Sequence, residues 1–308
     1  MRVALVFLPD QYTLIDFGGG RRLERFGEQL LDRPCAAADR RPMASPGRWR
    51  HATARYDRSE QGVGAWSPPG SLPAQWTVRH AEWVLELRPT PFGHIGLFPE
   101  QAENWDWLVA HVPPRGPRFK LLNLFAYTGG STLAAASAGA EVTHVDAAKN
   151  VVAWARHNAA LSGLADAPIR WITDDAVAFA SRELRRGRSY DGVILDPPSY
   201  GHGPKGQPWK IERDLEPLLA VCGDLMHRQP QLVLLTCHTP SLEAADLRRL
   251  LGRTCADRPK RIEARPLAPR AIDGRQFPSG LVARFSSVGE KRVRTHVPGT
   301  GPPGASYK

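Results

Sequence analysis

Apolar and polar positions along the second part of the chain follow two alternating periods. Short apolar runs predict buried strands, and longer stretches with three- and four-residue apolar spacing predict helices. The predicted strands cover residues 120–125, 141–146, 169–172, 191–195, 231–236, 260–265 and 281–286. The predicted helices cover residues 131–139, 148–162, 175–187, 211–227 and 241–254. This alternation predicts an α/β fold, a parallel sheet with helices on both faces whose last strand is antiparallel.

Residues 1–90 follow a different pattern and predict a small β-rich N-terminal module. They are rich in Pro, Gly, Arg and Trp, and short pieces such as Trp76–Leu87 show the two-residue period of strands. Charged side chains around Gly18–Gly20 indicate a turn with ion pairs. At the other end, residues 291–308 have no apolar pattern, so we expect a disordered basic tail.

The stretch Leu121–Asp146 combines a buried strand, a glycine turn, an alanine-rich helix and a second strand that ends in a carboxylate. Gly129 and Gly130 allow the backbone to turn sharply and to approach a ligand closely. An acid about 20 residues beyond such a turn is where open α/β sheets bind a ribose diol. The glycines do not form G-x-G-x-x-G, which disfavours a nicotinamide-dependent oxidoreductase. We therefore expect a different nucleoside cofactor here.

A second motif, Asp196-Pro197-Pro198-Ser199-Tyr200, follows the strand predicted at 191–195. It begins at the carboxyl end of a buried strand, where open α/β sheets place their chemistry. A carboxylate beside rigid proline carbonyls suits recognition of a planar amine or amide edge, and the tyrosine could stack on a base. A plain turn is the alternative.

Taken in order, four segments resemble the class I S-adenosylmethionine-dependent methyltransferases. They are NLFAYTGGST, THVDAAKNVVAWARHNAALSGL, TDDAVAFASRELRRGRSYDGVILDPPSYG and VLLTCHTP. More narrowly, they resemble the family that contains the large-subunit ribosomal RNA cytosine-5 and related guanine methyltransferases. The resemblance runs from Pro91 to Phe285 and includes the upstream TPFGHIGLFPEQAENWDW. It implies a Rossmann-like, seven-stranded methyltransferase domain over residues 91–290, with S-adenosyl-L-methionine as cofactor.

The resemblance also implies which residues bind that cofactor. The turn after the first strand would pass beneath its methionine part and ribose, through Phe125, Tyr127, Thr128 and Gly129. Asp146 would accept hydrogen bonds from the ribose hydroxyls. Asp174 or Asp175, of which we favour Asp175, would bind the adenine amine, although both could instead be helix N-caps. Asp196 would face both the amino group of the cofactor and the target base.

Substrate contacts are expected from the loop after the fourth strand, namely from Pro197, Pro198, Tyr200, His202 and Lys205. His202 and Lys205 are candidates for phosphate contacts, and a solvated loop is the alternative. The acceptor is predicted to be RNA, ribosomal RNA in particular. A protein or small-molecule amine, methylated through the Asp-Pro-Pro loop, is a competing acceptor because folds of this type host many substrates.

Cys237 is the candidate nucleophile if the methylated atom is carbon 5 of a pyrimidine, since that atom reacts only after a thiolate adds to the ring. It ends the strand predicted at 231–236, in a Thr-Cys context similar to that of cytosine-5 RNA methyltransferases. The ribosomal RNA relatives carry their cysteine at the position of Thr239, however, and buried cysteines are commonly inert. His238 would point to the opposite face from Cys237. If Cys237 is inert, the chemistry passes to Asp196 and a nitrogen acceptor.

The net charge of +10 is consistent with a polyanionic partner. Residues 21–58 contain ten arginines against five acids, and residues 248–275 contain nine basic residues against three acids. A basic composition without any such partner is the alternative. The four cysteines have no metal-like spacing, so we expect no metal site and a reducing cytoplasm. The uncharged run 121–140 is interrupted by polar residues and glycines, which argues against a membrane span.

Overall fold

The N-terminal part of the chain is built of short strands. The structure is a computed structural model that describes residues 7–59, 63–113, 119–203, 206–227, 230–254 and 261–287. Five strands form one sheet in sequence order, and two more form a hairpin. They are β1 (Tyr12–Gly18), β2 (Arg21–Phe26), β3 (Gln29–Pro34), β4 (Ala54–Arg58) and β5 (Gly64–Ser67), then β6 (Trp76–His80) and β7 (Trp83–Leu87), with helix α1 (Pro46–Trp49) before β4. The predicted β-rich module is confirmed.

Strands and helices alternate through the rest of the described chain. The helices are α2 (Ala102–His111), α3 (Gly130–Ser137), α4 (Lys149–Leu161), α5 (Ala176–Arg185), α6 (Ile211–Leu225) and α7 (Ala244–Thr254). The strands are β8 (Lys120–Leu124), β9 (Glu141–Asp146), β10 (Ile169–Thr173), β11 (Gly192–Leu195), β12 (Tyr200–His202), β13 (Pro208–Lys210), β14 (Leu232–Cys237), β15 (Glu263–Leu267) and β16 (Gly280–Ser286). Each strand and helix predicted for this part of the chain lies close to its predicted bounds, whereas α2, β12 and β13 were not predicted.

Seven of these strands form the central sheet, in the order β10-β9-β8-β11-β14-β16-β15. The first five are mutually parallel, and β16 runs antiparallel to both of its neighbours. The chain passes from β8 to β9 on one side and returns to β11 on the other. Such a reversal opens a crevice at the carboxyl ends of the strands, where ligands bind in open α/β sheets. The predicted Rossmann-like fold with an antiparallel last strand is confirmed.

The N-terminal module packs directly on the central sheet. Apolar side chains of β7 share one buried cluster with those of β8 and α3. Asn158 of α4 accepts a hydrogen bond from the Glu86 backbone N–H at 2.9 Å and donates one to the Thr128 carbonyl at 3.0 Å. The Trp154 indole donates to the Glu86 carbonyl. The boundary at residues 90 and 91 stays a prediction, and the predicted tail at 291–308 lies outside the described residues.

Ion pairs surround the glycine turn between β1 and β2. Arg22 pairs with Glu24 within β2, and Arg21 pairs with Asp32 on β3. Asp16 pairs with Arg275, which comes from the loop between β15 and β16. One long-range ion pair therefore ties β1, just before this turn, to a loop near the end of the described chain. Within the described ranges, no helix is both long and apolar enough to cross a membrane.

We predict that Asn158→Ala lowers the free energy of unfolding by about 2–4 kcal/mol. The reason is that Asn158 is fully buried and its loss leaves the Glu86 N–H and the Thr128 carbonyl without partners. Urea denaturation measures the change. Arg156→Ala, at an exposed position of the same helix, is the control and should change stability by less than about 0.5 kcal/mol. Equal losses in the two variants would contradict this role.

Candidate active site

A cavity of about 490 Å³ lies at the carboxyl edge of the central sheet. Its wall is formed by residues that directly follow five parallel strands. They are Phe125 and Tyr127 after β8, Asp146 and Ala147 at the end of β9, Asp174 and Asp175 after β10, Asp196, Pro197 and Pro198 after β11, and His238 after β14. His94, Phe98 and Glu100, from the segment before α2, complete one side of it. Its size is that of a small-molecule site.

The turn after β8 has an unusual backbone conformation. Phe125 and Tyr127 have φ values of 56° and 48°, a left-handed region that residues with side chains rarely occupy. Gly129 has a φ of 94°, where glycine is the natural residue. Gly130 is glycine for another reason, because a Cβ there would lie 2.4 Å from the ring of Trp105. Thr128 and Gly129 line a smaller pocket next to the main cavity.

Asp146 fixes this turn. One of its carboxylate oxygens accepts the Tyr127 backbone N–H at 2.9 Å, and the other accepts the Ala148 N–H at 3.0 Å. Burial raises the pKa of the Asp146 carboxyl, and these N–H donors oppose the rise. Thr128 adds a second anchor, since its hydroxyl donates to the Gly96 carbonyl at 2.6 Å.

Asp174 and Asp175 already have partners within the protein. Asp175 is the N-cap of α5, and its carboxylate accepts the Ala178 N–H at 2.8 Å. Asp174 forms an ion pair with Arg182. Both aspartates line the cavity, and their contact with an adenine amine stays a prediction.

Asp196 is held from three directions. The Thr236 hydroxyl donates to its Oδ1, and the Gln101 amide donates to its Oδ2 at 3.1 Å. The Nε2 atom of His238 lies 3.6 Å from Oδ1, so the carboxylate and the imidazole form an ion pair when the imidazole is protonated. The side chains of Asp196 and His238 are each 32% exposed, which leaves both accessible to a ligand.

The proline loop is braced by the hairpin of β12 and β13. The Pro198 carbonyl accepts the Trp209 indole N–H at 2.7 Å, and Trp209 packs against Phe125 with ring centroids 4.9 Å apart. Pro197, Pro198 and His202 line the cavity. Tyr200 is not in its wall: it is 56% exposed, and its hydroxyl hydrogen-bonds the His202 ring. Lys205 lies outside the described residues.

Cys237 does not face the cavity. It is fully buried in the apolar cluster that also contains α6 and α7, and the Thr239 N–H lies 3.4 Å from its sulfur. Burial raises the pKa of the thiol, and the Thr239 hydrogen bonds oppose the rise. A nucleophilic cysteine needs the opposite, an accessible sulfur with a lowered pKa. The geometry therefore argues against the nucleophile hypothesis for Cys237.

His238 takes the place on the cavity wall that Cys237 was expected to occupy. The alternation of side chains along a strand predicted that the two residues face opposite sides, and they do. That period alone does not say which of the two faces inward. His94 and Glu100 were also missed, although both belong to the upstream segment that carries the family resemblance.

Comparison with known proteins identifies the chemistry of this cavity. Residues 29–248 match the sequence profile of the S-adenosylmethionine-dependent methyltransferases. The chain belongs to this family. It is thus a methyltransferase, and its cofactor is S-adenosylmethionine. The SAM-dependent methyltransferase from Agrobacterium tumefaciens, whose crystal structure is known, shares 36% of its sequence with this chain. The two structures superpose with a TM-score of 0.84, and the match covers 90% of each chain.

Curated relatives of this methyltransferase act on ribosomal RNA, according to their names. Ribosomal RNA large subunit methyltransferase I of Aeromonas salmonicida is 29% identical over 133 residues, 42% of this chain and 33% of that protein. Ribosomal RNA large subunit methyltransferase K/L of Marinobacter nauticus is 34% identical over 143 residues, 45% of this chain and 19% of that protein. The chain thus spans a third or less of the length of these curated relatives.

We predict that Cys237 is chemically inert in the folded protein. With iodoacetamide at pH 8, peptide mass spectrometry should find Cys35, which is partly exposed, modified well before Cys237 and Cys222. Burial raises the pKa of Cys222 to about 12, so it serves as the reference for a core thiol. In urea all three should react at similar rates. Labelling of folded Cys237 as fast as Cys35 would restore it as a candidate nucleophile.

Proposed function

We propose that this methyltransferase transfers the methyl group of S-adenosylmethionine to a base of ribosomal RNA. The proposal is supported by a group of exposed arginines on segments that join the chain leading to the cavity wall, and by the ribosomal RNA methyltransferases among the relatives. A ribosomal RNA substrate implies a cytoplasmic location.

The basic surface forms where two distant segments meet around the buried carboxylate of Asp16. This carboxylate accepts the Trp49 indole N–H and pairs with Arg275. The Arg41 guanidinium donates to the Gln276 carbonyl, which joins the same two segments again. We call the exposed arginines of these segments the basic face: Arg40, Arg41, Arg48, Arg50 and Arg270. Exposed arginines of this kind bind phosphates and release counterions.

The basic face and the cavity are connected by a short piece of chain. Arg275, which pairs with Asp16 where the two segments of the basic face meet, and Ser279 are four residues apart, at most about 14 Å of extended chain. The Ser279 carbonyl contacts His238 in the cavity wall. On the cavity rim, desolvation and then the positive charges of Arg33, Arg58 and Arg22 lower the pKa of His94 to about 4. In the proposed arrangement, a phosphate backbone bound on the basic face delivers a base to the cavity along this connection.

The volume of the cavity and the charge of its lining support S-adenosylmethionine as its ligand. In the proposed arrangement, the turn at 125–129 lies beneath the ribose and methionine part, and Asp146 binds the ribose hydroxyls. Asp174 and Asp175 lie where the adenine amine would bind, and Asp196 faces the amino group of the cofactor. The carboxylates in the wall attract the positive sulfonium and ammonium groups of this ligand.

The acceptor atom that fits this cavity is a nitrogen. Carbon 5 of a pyrimidine requires a thiolate, and the sulfur of Cys237 is buried away from the cavity. Asp196 and the rigid backbone of Pro197 and Pro198 offer hydrogen-bond acceptors to an N–H edge. Tyr200, which is exposed, and His202 follow this proline loop on β12. They are the proposed contacts to the flanking RNA.

Nucleoside mass spectrometry of ribosomal RNA from strains with and without the gene tests the proposal. We expect one methylated nucleoside to be absent without the gene and to return when the purified protein and S-adenosylmethionine are added. The methyl group should be on nitrogen. Loss of 5-methylcytidine would contradict the nitrogen acceptor, and identical nucleoside profiles would contradict the RNA substrate.

Calorimetry tests the cofactor residues. The protein should bind S-adenosylhomocysteine and not NAD, because the dinucleotide fingerprint is absent. Asp146→Ala should weaken this binding by about 1.5–3 kcal/mol, the scale of hydrogen bonds to a charged group. Asp166→Ala, which removes an exposed carboxylate, is the control and should bind like the wild type. An unchanged affinity of Asp146→Ala would remove Asp146 from the binding site.

Charge reversal tests the basic face. The double variant Arg48→Glu, Arg50→Glu should bind ribosomal RNA at least about tenfold more weakly. The slope of its binding constant against salt concentration should fall by the amount that about two phosphate contacts contribute. The control variant Arg185→Glu, Arg188→Glu makes the same change in net charge at exposed positions near the end of α5. It should bind RNA like the wild type. If both double variants lose the same RNA affinity, RNA binding depends on the net charge of the protein, and the basic face is not its binding site.

A further inference from the structure

His238 is held in one orientation on the cavity wall. Its Nδ1 atom lies 2.7 Å from the Ser279 carbonyl oxygen. A carbonyl only accepts hydrogen bonds, so Nδ1 carries a hydrogen and donates it. The second ring nitrogen, Nε2, is then the atom that can gain or lose a proton. It lies 3.6 Å from Asp196 Oδ1.

The chain around His238 is shaped to fit the imidazole. A Cβ on Gly280 of β16 would lie only 2.6 Å from Nδ1, so only glycine lets the ring approach this strand. The Ser279 hydroxyl donates to Glu100 Oε1 at 3.0 Å, which ties the backbone that binds His238 to the segment before α2. The ring is thus positioned by β16 and by the segment before α2.

The charged groups that act on His238 are both carboxylates. Burial lowers the pKa of the imidazole, but the nearby Asp196 carboxylate and then the charge of Glu100 raise it, to about 9. At the start of β16, the Ser279 carbonyl and Gly280 contact the ring, and neither group is charged. In the free protein, therefore, the imidazole is protonated at neutral pH. A sulfonium and an ammonium group bound next to Asp196 would favour the neutral imidazole, because like charges repel.

We propose that His238 is the general base of the methyl transfer, and that its Nε2 takes up the proton released by the acceptor nitrogen. This inference rests on the proposed nitrogen acceptor. As the acceptor nitrogen bonds to the methyl carbon, the carbon–sulfur bond breaks and its electron pair stays on sulfur. The acceptor then carries one proton in excess. That proton passes to Nε2, and Asp196 stabilises the imidazolium that forms.

The test is single-turnover transfer of tritiated methyl from S-adenosylmethionine to total RNA from a strain that lacks the gene, between pH 5.5 and 9.5. The wild-type rate should rise with pH until His238 is neutral and then level off. His238→Asn can still donate to Ser279 and should be slower by about 10²- to 10⁴-fold, without that rise. Its affinity for S-adenosylhomocysteine should stay within about threefold of the wild type. His157→Gln, an exposed histidine on α4, is the control and should keep both the rate and the pH profile.

An active His238→Asn variant with the wild-type pH profile would overturn the role of His238 and leave the proposed function intact. A wild-type protein that transfers no methyl group to this RNA would overturn both. NMR titration of the His238 ring gives a readout without activity. Its pKa should lie well above the usual histidine value in the free protein and fall on binding S-adenosylmethionine, and fall less with S-adenosylhomocysteine, whose sulfur is neutral. A His238 pKa that neither ligand changes would overturn the proposal.

Discussion

The conformation of the turn after β8 is the constraint on which the site depends. Phe125 and Tyr127 hold positive φ values that cost about 1–3 kcal/mol each, so the surrounding chain must keep them in place. Asp146 from β9, Asn158 from α4 and the hydroxyl of Thr128 supply that support. Since Asn158 also binds β7, the N-terminal module helps to shape the cavity. It does so indirectly, because His94 is the first residue along the described chain that lines the cavity.

The loop between β15 and β16 connects three parts of the molecule. Phe277 packs against Phe17 of the N-terminal sheet, with ring centroids 4.9 Å apart, and Arg275 pairs with Asp16. Two residues beyond Phe277, the Ser279 carbonyl orients His238. Binding of a polyanion on the basic face would act on the same loop that positions the proposed base. The N-terminal module and the catalytic sheet are therefore coupled through covalent chain and through a shared apolar core.

The sequence predicted the sheet and most of its element bounds because strands and helices here keep clean periods. It also predicted that Asp146, Asp174, Asp175 and Asp196 would lie at strand ends, and all four line one cavity because parallel strands end at a common edge. The sequence could not predict whether Cys237 or His238 lines the cavity, because a two-residue period shows that neighbouring side chains alternate but not which of them points inward. The requirement for Gly130 comes from Trp105, a long-range contact that no local pattern shows.

The crystal structure of this protein with S-adenosylhomocysteine tests the central claim most directly. The account predicts that the ribose hydroxyls lie within hydrogen-bond distance of the Asp146 carboxylate. It also predicts the amino group next to Asp196 and the sulfur facing the space beside His238, with the turn at 125–129 unchanged. A ligand bound elsewhere, or bound in this cavity with its ribose away from Asp146, would contradict the account.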